Sequence, residues 1–307
     1  MKKTTFCFLL ISALLAACTE NSLIIEDNRT GNNNGGATNI IHFYPRIHGY
    51  TSEGPANITS FPEGCVVQIF AFVKGIQLTQ WRYYQSYSVG TLSPVSLPME
   101  LVGGSYDFYM VSLKTAADPP VFHDGSAYGL QNGIDYLWYA TPAAVSQLQT
   151  NIPVNFMHSA SQIVIDVENQ DDASIAEWIQ YAMLGAPQPD NLTSWDLFSG
   201  AIRPVTQIRT DSLINLTADG LSCQSIILPV SGVSKVYLYL SMKINGENEY
   251  RGYPFYLPIP DSTFIAGNSY HYNIEFTRDT VLVGDVTISS WIEVDEEGHP
   301  LYPESKN

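Results

Sequence analysis

From Ile40 onward, short apolar runs are separated by Gly, Pro, Asn and Asp, the residues that favour turns. One of these runs is Val66–Val73, in which Gln68 is the sole polar residue. Such spacing predicts an all-β sandwich rather than a parallel α/β sheet. The predicted strands are Ile40–Tyr44, Val66–Val73, Tyr106–Val111, Ile163–Val167, Ile226–Leu228, Val236–Leu240, Tyr270–Phe276 and Val281–Trp291.

The composition supports this prediction and excludes one class of partner. Apolar residues make up 45% of the 307 residues, enough to bury a core, and the 19 Tyr, 22 Gly and 18 Pro suit strands and tight turns. The chain carries 14 Lys+Arg against 30 Asp+Glu, a formal net charge of -16. Because binding to phosphates needs a basic surface, we expect no nucleic acid partner.

The amino terminus has the pattern of a secretory signal. Lys2 and Lys3 precede an apolar run, Phe6–Leu15, whose length of about ten residues is too short to span a bilayer. The run ends in Leu15-Ala16-Ala17-Cys18, which has the form of a bacterial lipobox. We therefore predict a signal peptide at residues 1–17 and a lipid on Cys18 that anchors the chain in the outer membrane. The alternative is ordinary signal cleavage beside an incidental cysteine.

The remainder divides into a tether and two folded parts. Residues 18–39 contain Asn32-Asn33-Asn34-Gly35-Gly36 and predict a flexible tether. The acidic stretch Glu168–Asp172 is the best candidate for a domain junction, and it predicts domains at 40–168 and 169–307. Below the lipid only Cys65 and Cys223 remain, and we interpret them as separate buried side chains, with a disulfide as the alternative.

Catalytic and metal-binding motifs are missing from the sequence. It has no GxSxG, HExxH, GxGxxG, Walker or EF-hand pattern, and its six His have no metal-ligand spacing. His158 is interpreted as a strand-end residue hydrogen-bonded to the backbone, since no carboxylate or Cys partner is near it in sequence. We therefore predict no catalytic residue, no metal and no cofactor.

One group of aromatic residues has two interpretations. Trp81, Tyr83, Tyr84 and Tyr87 lie close together in sequence and would stack on sugar rings if they shared one exposed face. The alternative is that they only line a strand and its hairpin, because aromatic residues favour strands in general.

Four segments carry recognisable motifs in a fixed order: Pro98–Phe108, Val154–Ile165, Ala266–Ile274 and Val286–Trp291. The first contains a Pro…Gly-x-Tyr-x-Phe pattern and the second a Phe-x-His step. The third contains an Ala-Gly-x-x-Tyr-x-Tyr-x-Ile strand, and the fourth closes with Ile-x-x-Trp. In this order, the segments resemble the fimbrillin superfamily of lipoprotein-precursor pilins and accessory subunits.

This resemblance implies a fold and an assembly mechanism. It implies two tandem transthyretin-like Greek-key β-sandwich domains, displayed on the cell surface and assembled with other fimbrial subunits. In the family, a protease cuts after an Arg that follows the first strand, and a strand from a neighbouring subunit fills the open groove. Here the chain reads Tyr50-Thr51-Ser52-Glu53 where polymerising members carry that Arg.

The possible processing sites are therefore Arg46, at the end of the first predicted strand, and Arg29, in the tether. The candidate exchanged strand consists of Ile40, Ile41, His42, Phe43 and Tyr44. We predict a structural or adhesive fimbrial subunit without catalysis, with a host or bacterial surface receptor as a further partner. The alternative is a surface glycan-binding lipoprotein of a polysaccharide-uptake system.

Overall fold

The computed structural model describes residues 38–51, 54–73, 77–87, 90–148, 150–169, 176–276 and 281–291, and only the backbone at residues 48–60. Within these ranges the chain is almost entirely β-strand, and its helical part is a single 3-10 turn at Pro260–Ser262. The predicted all-β fold of two sandwiches is confirmed. The predicted run Val66–Val73 coincides with a strand at both ends.

The first sandwich contains eleven strands. They are β1 (Thr38–Ile40), β2 (His42–Thr51), β3 (Gly54–Ser60), β4 (Val66–Val73), β5 (Gln77–Tyr87), β6 (Thr91–Pro94), β7 (Glu100–Val102), β8 (Gly104–Ser112), β9 (Ser126–Ala127), β10 (Leu137–Val145) and β11 (Asn151–His158).

Eight of these strands form one sheet that folds over its own core. The strand order is β3-β2-β11-β10-β8-β4-β5-β6, and the corner is the short β10–β11 pairing, Leu137 with His158 and Trp138 with Met157. The apolar side chains of both halves meet inside, among them Phe43, Phe108 and Phe156, which are almost completely buried. Burial of these side chains is the main stabilising term of the sandwich.

The second sandwich contains the other eleven strands. They are β12 (Ser161–Asn169), β13 (Ala176–Pro187), β14 (Trp195–Asp196), β15 (Ile208–Asp219), β16 (Ser222–Ile227), β17 (Val230–Ser231), β18 (Lys235–Ile244), β19 (Tyr250–Pro258), β20 (Thr263–Phe264), β21 (Asn268–Phe276) and β22 (Val281–Ser290).

The second sheet has the order β19-β18-β13-β15-β16-β12-β21-β22. The long strand β15 forms its corner, because Ile208–Leu216 pairs with β13 and Thr217–Asp219 pairs with β16. As in the first sandwich, one parallel pair lies within an otherwise antiparallel sheet: β12 with β21 here, and β2 with β11 there. In each sandwich, the strand that begins the large sheet, β2 or β12, therefore lies between one antiparallel neighbour and one parallel neighbour.

The change from one sheet to the other takes place at Ser159–Ala160, between β11 and β12. The predicted junction after Glu168 lies inside β12, which is hydrogen-bonded to β16 and β21 of the second sheet. We therefore propose the junction at Ser159–Ala160. Both residues are buried and uncharged, so the acidic residues after β12 gave the stronger sequence signal.

A segment of the second sandwich, residues 188–207, reaches across to the first, and we call it the clasp. Its strand β14 pairs with β9, and Phe198 packs against Phe72 and Tyr109 with ring centroids 5.6 and 5.2 Å away. Trp138 of the first sandwich donates its indole N–H to the Leu197 carbonyl at 2.7 Å. Buried side chains from both sandwiches form a separate apolar cluster at this contact.

The two described cysteines are free and buried, one in each sandwich, as predicted. Burial raises the pKa of Cys223 to about 12, so its thiol stays protonated at neutral pH. Among the described residues, no helix is long and apolar enough to cross a membrane.

Candidate functional site

The candidate site is the amino-terminal strand, which changes partner within a few residues. Thr38–Ile40 pairs antiparallel with β7, and His42–Ile47 pairs in parallel with Asn151–Phe156 of β11. Between them, the Ile41 N–H donates to the Met99 carbonyl at 3.0 Å. Of the predicted exchanged strand, Ile40 thus ends β1, Ile41 is the link, and His42, Phe43 and Tyr44 begin β2.

Side chains of this strand alternate strictly between the core and solvent. Ile41, Phe43, Pro45 and Ile47 are buried, whereas Ile40, His42, Tyr44 and Arg46 are exposed. Alternate burial of this kind specifies one register, because a slip by one residue would turn the apolar side chains outward. The segment is therefore anchored by side-chain burial as well as by backbone pairing.

Phe43 is the main anchor of the strand. Its ring is in edge contact with Tyr84 at 5.2 Å and with Phe108 at 5.9 Å, both across the core. Burial raises the pKa of Tyr84, and its hydroxyl accepts a hydrogen bond from the Met99 N–H at 2.8 Å. The same residue, Met99, receives the Ile41 N–H on its carbonyl, so the strand and the core are connected through one backbone position.

The neighbouring strand β3 covers only the second half of β2. Its pairing begins at Arg46 with Ser60 and continues to Thr51 with Gly54. In the described part of the sheet, His42–Pro45 is therefore paired along one edge only, with β11. Arg46, a predicted processing site, lies at the boundary between the singly and doubly paired parts, and its side chain is exposed. The other two predicted sites, Cys18 and Arg29, lie outside the described residues.

His158 has a partner that the sequence interpretation missed. Its Nδ1 lies 2.7 Å from Asp135 Oδ1, and both side chains are almost fully buried. This carboxylate partner was not predicted, because Asp135 lies 23 residues earlier in the chain and meets His158 through the β10–β11 corner. Lys114 Nζ lies 3.7 Å from the other Asp135 oxygen. No local sequence pattern indicates this pair, because its two residues lie 23 positions apart.

The His158 ring is also stacked on Trp291, with centroids 3.8 Å apart and planes 15° apart. Trp291 follows β22, so the stack joins the end of the second sandwich to the end of β11. Two clefts of about 680 and 370 Å³ flank this indole. Among the described residues, no cluster of three or more potential metal ligands is found. The Asp135–His158 contact is a buried hydrogen bond within the first sandwich, and the stack of His158 on Trp291 connects it to the second sandwich.

The four aromatic residues proposed as a sugar-stacking group do not share one face. Tyr84 is 1% exposed and points into the core, whereas Trp81 and Tyr87 are 36% and 51% exposed. Trp81 packs edge-on against Tyr83 at 5.4 Å. The strand interpretation is therefore the correct one for Tyr84, because even-numbered and odd-numbered residues of this strand face opposite sides of the sheet.

Several solved structures are similar to this chain. A cell adhesion protein candidate from Bacteroides ovatus has a TM-score of 0.63 at 14% identity, covering 84% of this chain and 100% of that one. Similar candidates from Bacteroides uniformis and Bacteroides fragilis have TM-scores of 0.57 and 0.53 at 15% and 16% identity, covering 82% and 84% of this chain and 99% and 100% of theirs. At these identities the likeness shows a common fold. No curated protein matches the chain.

A family model described as Fimbrillin-like matches residues 109–291, which is more than half of the chain. This match confirms the resemblance seen in the sequence motifs. The family consists of fimbrial structural and adhesion proteins and is not known for enzymes, in agreement with the prediction of a protein without catalysis. It also implies a location at the cell surface. The chain belongs to the fimbrillin-like family.

Proposed function

We propose that this protein is a structural or adhesive subunit of a cell-surface fimbrium and that it joins its neighbour by strand exchange. The observation that carries the proposal is the position of Arg46, where the pairing of β2 with β3 begins. A cut after Arg46 would separate the singly paired segment from the doubly paired one. The remaining hairpin of β2 and β3 would keep its own hydrogen bonds.

Loss of the segment would leave an open groove in the first sandwich. Removing Ile41 and Phe43 exposes the apolar surface they cover, at about 1.5–3 kcal/mol for each side chain. The backbone groups of Asn151–Val154 would also lose their partners on that edge. An unpaired edge beside an apolar groove is a template for a strand from another chain, with burial of alternate side chains as the driving force.

The two candidate cuts would have different consequences. A cut after Arg29 would separate the lipid on Cys18 from the folded part and leave the strand in place. A cut after Arg46 would remove both the lipid and the strand. The uncut chain would stay attached to the outer membrane through Cys18. Other fimbrial subunits would be its neighbours in the fibre, and a host or bacterial surface receptor its target.

The test compares three full-length chains expressed in a fimbriated host: wild type, Arg46→Gln and the control Arg29→Gln. The measurements are N-terminal sequencing of the surface protein and electrophoresis without boiling, which preserves strand-exchanged polymers. We expect wild type and R29Q to begin at Ile47 and to form a ladder, and R46Q to remain monomeric. A ladder that is unchanged in R46Q would disprove exchange at this strand.

A start at Cys18 in all three chains, together with binding of a defined polysaccharide and no ladder, would instead support the alternative of a glycan-uptake lipoprotein. A start at Thr30 without a ladder would mean release from the membrane without a groove. Each of these results contradicts the proposal in a different way.

A further inference from the structure

The second sandwich has an aromatic outer face that its own core does not use. Along β18, Val236, Leu238, Leu240 and Met242 are buried, so the residues between them face outward. The register places outward residues of β13 and β19 beside them. The aromatic face, as we call it, consists of Trp178, Tyr181, Tyr250, Tyr256, Lys235 and Lys243.

Four rings of this face are exposed to a similar degree: Trp178 by 41%, Tyr181 by 42%, Tyr250 by 43% and Tyr256 by 48%. Four large rings, each with two fifths or more of its surface exposed on one sheet face, form an apolar surface patch of the kind through which proteins bind partners. Trp178 and Tyr250 are in edge contact at 6.4 Å across the intervening strand. The rings therefore support one another before any ligand is present.

The rings are held in place by the sheet beneath them. Tyr181 stacks on Tyr239 with centroids 5.9 Å apart and planes 20° apart, and the Tyr239 ring lies over Gly252. A Cβ at Gly252 would overlap the Tyr239 hydroxyl and ring, so only glycine leaves room for this arrangement. A fixed array loses little side-chain entropy when it binds a ligand.

A lysine stands near each end of the array. Lys235 Nζ lies 4.4 Å from the centroid of Tyr256, and Lys243 Nζ lies 5.8 Å from that of Tyr250. Lys243 also donates to the Glu247 carbonyl, and the Glu247 carboxylate is paired with Arg251 at 2.6 Å. Within the described ranges, neither lysine has a carboxylate at ion-pair distance. Positive charge at this face contrasts with the net charge of -16 of the chain.

We propose that the aromatic face binds an extended anionic glycan, a chain of sugars that carries carboxylates. Aromatic rings stack on the C–H faces of sugar rings, tyrosine hydroxyls bond to sugar hydroxyls, and the lysines neutralise the acid groups. Lys235 and Lys243 are separated along β18 by about 27 Å, at ~3.4 Å per residue. A ligand that contacts both is therefore a chain rather than a single sugar.

Charge also argues against a second copy of this chain as the occupant. A symmetric contact would place the lysines of two identical faces close together, with mutual repulsion instead of neutralisation. The inference names the ligand class for the adhesive role proposed above and rests on it. It concerns a face of the second sandwich, whereas strand exchange concerns the first, so the two can fail separately.

The test measures binding by calorimetry with the full-length R46Q chain, which keeps the strand in place. The probe is a defined oligomer of galacturonic acid, and its methyl ester, which lacks the charge, is the matched control. We expect the acid to bind, to weaken with added salt, and to bind more tightly than the ester. Binding of the acid should weaken with added salt because salt screens the charges of the two lysines.

Variants locate the site. Trp178→Ala and Tyr256→Ala are each expected to weaken binding about three- to tenfold, and the pair Lys235→Gln with Lys243→Gln about two- to tenfold for the acid only. Tyr128→Ala, which removes a comparably exposed ring from the first sandwich, is the control that should bind as before. Unchanged thermal unfolding of each variant shows that the fold is intact.

The proposal is overturned if neither oligomer binds at about millimolar concentration, if the ester binds as tightly as the acid, or if W178A and Y256A bind normally. Self-association that is lost in Y256A, without oligomer binding, would assign the face to a second copy instead. A ladder of cleaved subunits together with absent glycan binding would reject this inference alone.

Discussion

The first strands of the two sandwiches, β2 and β12, have equivalent neighbours but different cover. β12 pairs in parallel with β21 over Gln162–Asn169 and antiparallel with β16 over Ser161–Asp166, so most of it is held on both edges. β2 pairs with β11 from His42, yet its antiparallel neighbour begins only at Arg46. The comparison teaches that the same topology holds the start of a strand on one edge or on both, depending on how far the antiparallel neighbour extends.

The largest expected effect comes from truncating two buried isoleucines, one within β12 and one directly before β2. Ile165 is fully buried in β12, and Ile41 is 1% exposed just before β2. We expect Ile165→Ala to lower the free energy of unfolding by about 4 kcal/mol and Ile41→Ala by about 2 kcal/mol, because the region around Ile41 can relax at an edge. Denaturant unfolding measures both.

Ile41→Ala should also make the chain more sensitive to proteolysis after Arg46, since local opening precedes cleavage. Equal losses of stability for the two variants, with no change in proteolysis, would contradict a difference between the strands.

The next effect concerns the clasp, which couples the two sandwiches. Gly200 has φ +71° and a Cβ there would overlap the Trp138 ring, so Gly200→Ala should cost about 3 kcal/mol in thermal or denaturant unfolding. Gly246 has φ +78° with open space around it, and Gly246→Ala should cost about 1 kcal/mol from the backbone alone. If the two substitutions cost the same, the clasp does not stabilise the contact.

The smallest effect concerns acid. Burial lowers the pKa of His271 on β21, and the charge of Asp166 offsets this only in part. The unfolded chain therefore binds the proton more readily than the folded one, so stability is lost as pH falls below about 6.5. His271→Gln should flatten this dependence of unfolding on pH. An unchanged slope in H271Q would assign the acid sensitivity elsewhere.

Most strands were predictable because their signal is local. Val66–Val73 is an almost continuous apolar run, and Tyr270–Phe276 alternates apolar with polar residues. Both have turn residues near their ends, and they lie within β4 and β21. In β18, Tyr237 and Tyr239 alternate with buried aliphatic residues and form the outer aromatic row of the strand. The alternation predicts the strand, whereas the outer face arises only when β13 and β19 pair with β18.

The rest depended on contacts between distant parts of the chain. Asp135 and His158 meet because β10 and β11 form a corner, and Trp291 reaches them from the far end of the second sandwich. The clasp lies between two strands of one sandwich and packs on the other, so no local periodicity indicates it. The junction proposed at Ser159–Ala160 has little local signal for a related reason, since β11 continues almost directly into β12.

That near-continuous path has a mechanical consequence. In the uncut chain, tension applied between the start of β2 and the second sandwich pulls β2 and β11 in opposite directions along their length, because the two strands are parallel. Their hydrogen bonds are then loaded together in shear and do not break one after another as in unzipping. The uncut first sandwich is therefore built to resist force that reaches it from its amino-terminal side.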